Sequence, residues 1–363
     1  MQFIDLQHQY KIIEQNITSR LKDIMENTRF IMGVEVQEIE EKLSAYTQTK
    51  YGIACASGTD GLQIALMALG LEAGDEVITT PFTFFATGEV LALLQLKPVF
   101  VDIEQDSYNI NPALIEAKIT KRTKAIMPVS LYGQCANMDA INATAAKYGI
   151  PVIEDAAQSF GAEYKGKKSC GVSTIGVTSF FPSKPLGCYG DGGMIFTDDE
   201  KLATDMKIIR NHGQERRYYH TKIGINSRLD TMQAAILLAK MEIFPDEVQK
   251  RGEIGARYTE RLKNIVKTPV VQENQTHVYA QYTIEIESGR DEFCKKMQDK
   301  GVPTAVHYPV PLHFQPVFKD LGFKAGDFPI AEAVSGKVVS LPMHPYLNKE
   351  IQDEVIEKVK ECL

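Results

Sequence analysis

The sequence lacks most of the marks that would classify it at a glance. It has no tryptophan, and nothing follows from that. Its six cysteines (55, 135, 170, 188, 294 and 362) are scattered, with no CxxC pair. That spacing argues against a metal site and for free thiols in a reducing cytosol. No apolar run reaches the roughly eighteen residues of a membrane span. Met1-Gln2-Phe3-Ile4-Asp5 has neither the basic start nor the apolar stretch of a signal peptide, so a cytoplasmic location is expected. Basic charge is not in excess. The net charge of -7 offers no general attraction to nucleic acid or to anionic membranes. No Gly-x-Gly-x-x-Gly follows an apolar run, which sets aside a dehydrogenase, and no Gly-Lys-Ser/Thr completes a Walker loop. There is no internal repeat and no low-complexity segment.

What remains is an ordinary globular composition: 363 residues, 44% hydrophobic and 24% charged. That length suits one large domain and a smaller one. Short Val/Ile-rich runs alternate with helical patterns from Tyr51 to Thr197. The runs are 51–57, 76–80, 98–102, 125–130, 151–154, 176–179 and 193–197. They show little polar alternation, as strands buried on both faces should. Helical stretches at 60–69 and 137–148 between them predict βαβ units and a mostly parallel sheet. Ligands bind such sheets at the carboxyl ends of the strands, where Ser57, Ser130 and Asp155 are expected to gather.

Residues 229–263 are helix-patterned, with Pro245 as the expected break. Beyond it, 277–286 alternates like an antiparallel strand. A helix (291–300), a strand (304–308) and two helices (331–337 and 349–362) follow. The expected division is a large domain, 1–250, and a small α+β domain, 251–363, with residues 1–15 free to pack on the small domain.

Four segments carry chemistry. Ser57-Gly58-Thr59-Asp60-Gly61 opens a helix after a strand, where free N–H groups and the helix dipole favour phosphate. Alone it also reads as an ordinary N-cap. The aromatic cluster Thr80 to Thr87 could stack on a planar heteroaromatic ring, or simply fill core. Glu154-Asp155 ends an apolar strand, where a buried acid needs a partner. Lys184 lies in a Ser/Pro/Gly-rich turn with Ser179 and Ser183 as candidate phosphate contacts. Taken alone, such a lysine is a surface turn. A lysine for a Schiff base and an acid for a pyridine nitrogen are together what pyridoxal phosphate requires. Lys165, Lys167 and Lys168 sit in a polar hairpin-like loop and read as solvated.

The order of these segments is that of fold-type I pyridoxal phosphate enzymes. In detail the chain resembles the DegT/DnrJ/EryC1 family of nucleotide-sugar aminotransferases over about residues 3 to 345. The matching pieces are 30–33, 57–62, 80–87, 154–158, 179–193, 210–213, 226–228 and 307–309. The resemblance implies an α/β fold with a large, mostly parallel sheet domain flanked by helices and a smaller C-terminal α+β domain. It implies that Lys184 forms the Schiff base and shuttles protons. Asp155 would hold the pyridine nitrogen, Gln158 the ring hydroxyl and Phe84 the ring face. Gly58, Thr59 and Ser179 would hold the phosphate. Asn226 would reach the phosphate of a neighbouring subunit, making a homodimer with shared sites. A dehydratase branch carries His at the lysine position, so Lys184 favours transamination. Ser130 stands where many relatives have His, and the resemblance gives it no role.

Residues 128–135, 178–193, 224–233 and 301–309 are most similar to one subgroup. Its members aminate C3 of a UDP-linked 2-acetamido-3-oxo-glucuronic acid with L-glutamate, for bacterial surface polysaccharide. That substrate carries a carboxylate, which a guanidinium meets in bidentate fashion. Arg228, His307 and Tyr308 are the expected substrate contacts, beside structural readings of each as an ion pair or small-domain packing. Two other functions stay open: amination of a neutral UDP- or dTDP-linked keto-deoxysugar, and a catalytically idle cofactor-binding regulator.

Overall fold

A computed structural model describes residues 1–363. Seven strands build the main sheet: β1 (Tyr51–Cys55), β2 (Glu76–Thr79), β3 (Lys97–Phe100), β4 (Thr123–Ile126), β5 (Ile153–Asp155), β6 (Ile175–Ser179) and β7 (Gly193–Thr197). β2 pairs in parallel with β3 and β4, and β5 with β6. The bridges Ile126–Val152 and Val129–Asp155 join the two halves. The strand order is therefore 3-2-4-5-6-7-1. Only β7 runs against its neighbours, β6 and β1.

The unbroken apolar runs have a direct cause. Side chains alternate across a strand, and both faces are covered. On β1, Ile53 and Cys55 enter one core layer, while Ala54 enters the other. On β7, Ile195 goes with the first layer, and Met194 and Phe196 with the second. Helices α3 (Gly58–Ala68), α4 (Ala86–Leu93) and α6 (Glu200–Ile209) contribute to the first layer, α2 (Val34–Thr47) and α7 (Thr231–Met241) to the second. Helix α5 (Met138–Tyr148) is capped by Asn137, whose side chain accepts from the N–H of Ala140.

The long N-terminal helix α1 (Leu6–Asn27) packs on α7 through Ile13 and Ile17. Ahead of it, the Phe3 carbonyl accepts from the N–H of Met343, and His8 stacks on Tyr346 at 4.6 Å. Helix α8 (Phe244–Leu262) joins two cores: Phe244 lies in the second sheet layer, while Ile254, Tyr258 and Leu262 lie in a separate C-terminal cluster. The interruption before α8 falls at Glu242–Ile243, and Pro245 occupies its first turn. Proline fits there because that N–H has no intrahelical partner.

The C-terminal region departs from expectation in three places. Only Tyr282–Glu285 (β8) of the alternating run is strand. Tyr279 sits in the left-handed region at φ 44° and turns the chain out of β geometry. The partner of β8 is Val338–Leu341 (β9), a strand the sequence pattern did not reveal. The segment 304–308 is not a strand; it makes the single bridge Ala305–Ser340. Helices α9 (Arg290–Asp299), α10 (Pro329–Ser335) and α11 (Lys349–Cys362) fall where helices were expected. The loop lysines are not all solvated either, since half-buried Lys168 pairs with Glu163 at 2.7 Å and lies over the Tyr46 ring.

Candidate active site

The carboxyl ends of β1, β5 and β6 open on a cavity of about 450 Å³. Gly58, Thr59, Phe84, Asp155, Gln158, Ser179, Lys184, His307 and Tyr308 all line it. Nine residues separated by up to 250 positions are thus brought to one sheet edge, as the topology demands.

Helix α3 points its N-terminus at the cavity. Ser57 caps it, accepting from the N–H of Asp60 at 3.0 Å. The amides of Gly58 and Thr59 precede the first intrahelical bond and remain free for an anion. The backbone fits closely here: a Cβ on Gly58 would lie 2.8 Å from Cβ of Ser179. The Ser179 hydroxyl accepts from the N–H of Phe181 at 3.2 Å, leaving its own proton for a ligand.

The two acids at the end of β5 part company because the side-chain period of a strand is two. Glu154 turns away from the cavity. It accepts from Ser130 (2.6 Å), Ser169 (2.9 Å) and the N–H of Cys170 (2.7 Å). Ser130, whose role was open, is thus a partner for a buried carboxylate. Asp155 faces the cavity and is 5% exposed. Its Oδ2 accepts from the Thr87 hydroxyl at 2.8 Å, and its Oδ1 from the N–H of Ala157 at 3.2 Å. Thr83 stands 3.1 Å behind Thr87. Burial raises the Asp155 carboxyl above its ordinary value, and the Thr87 and Ala157 bonds and the Lys184 charge only partly offset this. A buried carboxylate with so few donors is suited to an incoming cation.

Lys184 is the one lysine or arginine on the cavity wall. No carboxylate lies within ion-pair distance of it. Burial lowers its pKa, opposed by the charge of Asp155. An unpaired amine of lowered basicity can condense with a carbonyl and carry a proton. Gln158 is clamped: Oε1 accepts from the N–H of Tyr132 at 2.9 Å, and Nε2 donates to the Tyr308 hydroxyl at 3.0 Å. One Nε2 proton is left for the cavity. The Phe84 ring is 54% exposed and 6.0 Å from that of Tyr308. His307 Nδ1 meets Ser340 at 2.9 Å, and burial, then the Lys184 charge, push its pKa down to about 4.

Asn226 and Arg228 lie outside this cavity. Asn226 is exposed on a bridge to Asn211. Arg228 donates from Nη1 to Asn211 at 2.9 Å, and its Nε is buried without a partner. Thr83, Thr87 and Gln281 are site residues that sequence reasoning passed over. Thr83 lies ahead of α4 and Thr87 in its first turn, and their hydroxyls meet at 3.1 Å.

The family model of DegT/DnrJ/EryC1/StrS aminotransferases matches residues 11–360. The chain belongs to that family. It is 54% identical over 349 residues to the UDP-2-acetamido-2-deoxy-3-oxo-D-glucuronate aminotransferase of Pseudomonas aeruginosa, covering 96% of each chain. A DegT DnrJ EryC1 StrS aminotransferase from Brucella abortus superposes with a TM-score of 0.96 at 42% identity, covering 99% of each chain. NtdA from Bacillus subtilis, solved with bound cofactor PMP, superposes at 0.91 with 32% identity, over 99% of this chain and 83% of that one. The fold is accordingly that of the fold-type I transferases, and the chain is an enzyme of the aminotransferase class.

Proposed function

We propose that this aminotransferase moves an amino group from L-glutamate to C3 of UDP-2-acetamido-2-deoxy-3-oxo-D-glucuronic acid, using pyridoxal 5'-phosphate. The product would be the 3-amino uronic acid nucleotide used in bacterial surface polysaccharide, O-antigen included, and made in the cytoplasm. One observation carries the reading: an unpaired Lys184 and a buried Asp155 share one cavity in a chain 54% identical to an aminotransferase for that sugar.

The residues fit the cofactor. A helix N-terminus suits its phosphate, a donor-poor carboxylate its ring cation, and an unpaired amine its aldehyde. When bound, pyridoxal phosphate supplies the electron sink that lets a proton leave carbon. Gly58, Thr59 and Ser179 bind its phosphate. Asp155 keeps the pyridine nitrogen protonated, and Gln158 donates to the ring hydroxyl. Phe84 covers one ring face. Lys184 takes and returns the proton at Nζ. L-glutamate would give up its amino group and leave as 2-oxoglutarate, and the keto-sugar would take that amino group in its place.

His307 and Tyr308 are the proposed sugar contacts within this chain. Asn226 and Arg228 are proposed to complete the site of a second copy in a homodimer. Arg228 has an orphaned buried Nε, and Asn226 is exposed. The domain division is proposed at about residue 250, inside α8, where contacts pass from the sheet core to the C-terminal cluster.

Two measurements test this. Turnover should be at least about tenfold higher with the uronic acid than with the sugar lacking the C6 carboxylate, one charge-assisted pair being worth roughly 1.5–3 kcal/mol. Equal turnover would favour the neutral-sugar reading. Thr87→Val should weaken cofactor binding about tenfold or more, because the Thr87 bond to Asp155 is charge-assisted. Thr87→Ser should stay near wild type. Absorbance titration of the cofactor-free protein reads both, and a Val variant that binds normally removes Thr87 from the site.

A further inference from the structure

We propose that Gln281 is a further substrate-contacting residue, donating a hydrogen bond from Nε2 to an oxygen of the bound substrate. This rests on the aminotransferase reading above. Gln281 directly precedes β8, and it lines the same cavity as Lys184 and Asp155. Its backbone is tied down, with the N–H donating to the Tyr132 carbonyl at 3.3 Å. Tyr132 is also the residue whose N–H orients Gln158. The two glutamines therefore hang from one loop, on the same wall. Their side chains differ in one respect. Gln158 is held at both ends of its carboxamide. Gln281 Oε1 is shut in without a partner, while Nε2 is not shut in and meets no acceptor of the chain.

The accessible Nε2 carries two protons that no group of the chain accepts, and a donor left so on a cavity wall is available to a ligand. The polar ends of His307, Gln158 and Asp155 are each engaged with named partners. Gln281 offers the cavity a free, neutral donor set by a fixed backbone. Neutral donors that align with carboxylate or hydroxyl oxygens fix orientation without the desolvation cost of a charge. Both proposed substrates present such oxygens: the amino donor as a carboxylate, the sugar as hydroxyls and a carboxylate.

The test uses holoenzyme and two variants, Gln281→Leu and Gln281→Glu. Leu removes donor and acceptor, while Glu keeps the shape and an acceptor but loses the donor. Each half-reaction is followed separately by cofactor absorbance, with L-glutamate in one arm and the keto-sugar nucleotide that wild type accepts in the other. Both variants should raise the half-saturating concentration about tenfold in at least one arm, with cofactor affinity and melting temperature unchanged. A change confined to the sugar arm assigns the contact to a sugar oxygen. A change confined to the glutamate arm assigns it to the donor carboxylate, and a change in both to a position the two share. Saturation like wild type in both arms overturns the proposal. So does a Gln281→Glu variant that behaves like wild type beside an impaired Leu variant, because the cavity-facing atom would then be an acceptor. Loss of cofactor affinity in both variants overturns it too, marking Gln281 as structural. Wild type that accepts no sugar refutes the function instead, and the glutamate arm still reads Gln281.

Discussion

Lys184→Ala is expected to slow amine transfer by about 10²–10⁴-fold while leaving the fold intact, the range a positioned acid–base group contributes. The size of the loss follows from the absence of a second amine. Lys184 is the one lysine or arginine on the cavity wall. His307 is lowered to about 4, too weak a base to replace an amine. Burial raises the Tyr308 phenol above its ordinary value, so it stays protonated and cannot act as a base near neutrality. Asp155 is committed to Thr87 and Ala157. The pH profile gives a second readout. Burial lowers the Lys184 pKa, so its amine becomes uncharged at lower pH than a free lysine, near 10.4. The acidic limb set by this amine should therefore lie below that value, and it should vanish in the variant. Stopped-flow absorbance with L-glutamate measures the first half-reaction directly, and circular dichroism checks the fold. A variant retaining a tenth of the wild-type rate would remove Lys184 from this role.

Much of this site could be read from residue order because the sheet converts order into place. Strands β1, β5 and β6 are neighbours or near neighbours, so the segments after them meet whatever lies between. Lys184 and Asp155 were legible for that reason. The distinction between Glu154 and Asp155 was not legible from composition, since both are acids at a strand end. It is settled by pleat: one faces Ser130, Ser169 and Cys170, the other the cavity. Thr87 was hidden among aromatics that drew the eye to ring stacking. The missed strand Val338–Leu341 was hidden by the helix before it, whose pattern runs on to Lys337. The expected strand at 304–308 has the right residue types, but most of the edge it needs on β9 is left unpaired beyond Ser340. Side-chain type cannot report how far two segments run side by side. Asn226 and Arg228 were named only through the family resemblance, because their proposed role needs a second chain.

Asp155→Asn is expected to lower the catalytic rate about 10²–10³-fold, the cost of removing one preorganised electrostatic partner. It should also have opposite effects on the cofactor-free and cofactor-bound proteins. Burial raises the Asp155 carboxyl in the folded, ligand-free chain. A raised carboxyl contributes stability that is fully present below the unfolded value, near 3.9, and is lost as pH rises through the folded value. Above that folded value the ligand-free protein holds a buried charge that its donors only partly compensate. Asparagine keeps the shape and removes the charge, so cofactor-free Asp155→Asn should melt no lower than wild type, and higher by about 1–2 °C if about 1 kcal/mol is relieved. A bound pyridinium reverses the balance, because the carboxylate then has its cation. Wild type should gain more melting temperature than the variant when pyridoxal phosphate is added, and the gap should shrink as pH falls through the raised folded value and the ligand-free carboxylate takes up its proton. Melting curves with and without cofactor across a pH series decide it. Equal cofactor-induced shifts in the two proteins would mean that Asp155 does not face the ring nitrogen, whatever the effect on rate.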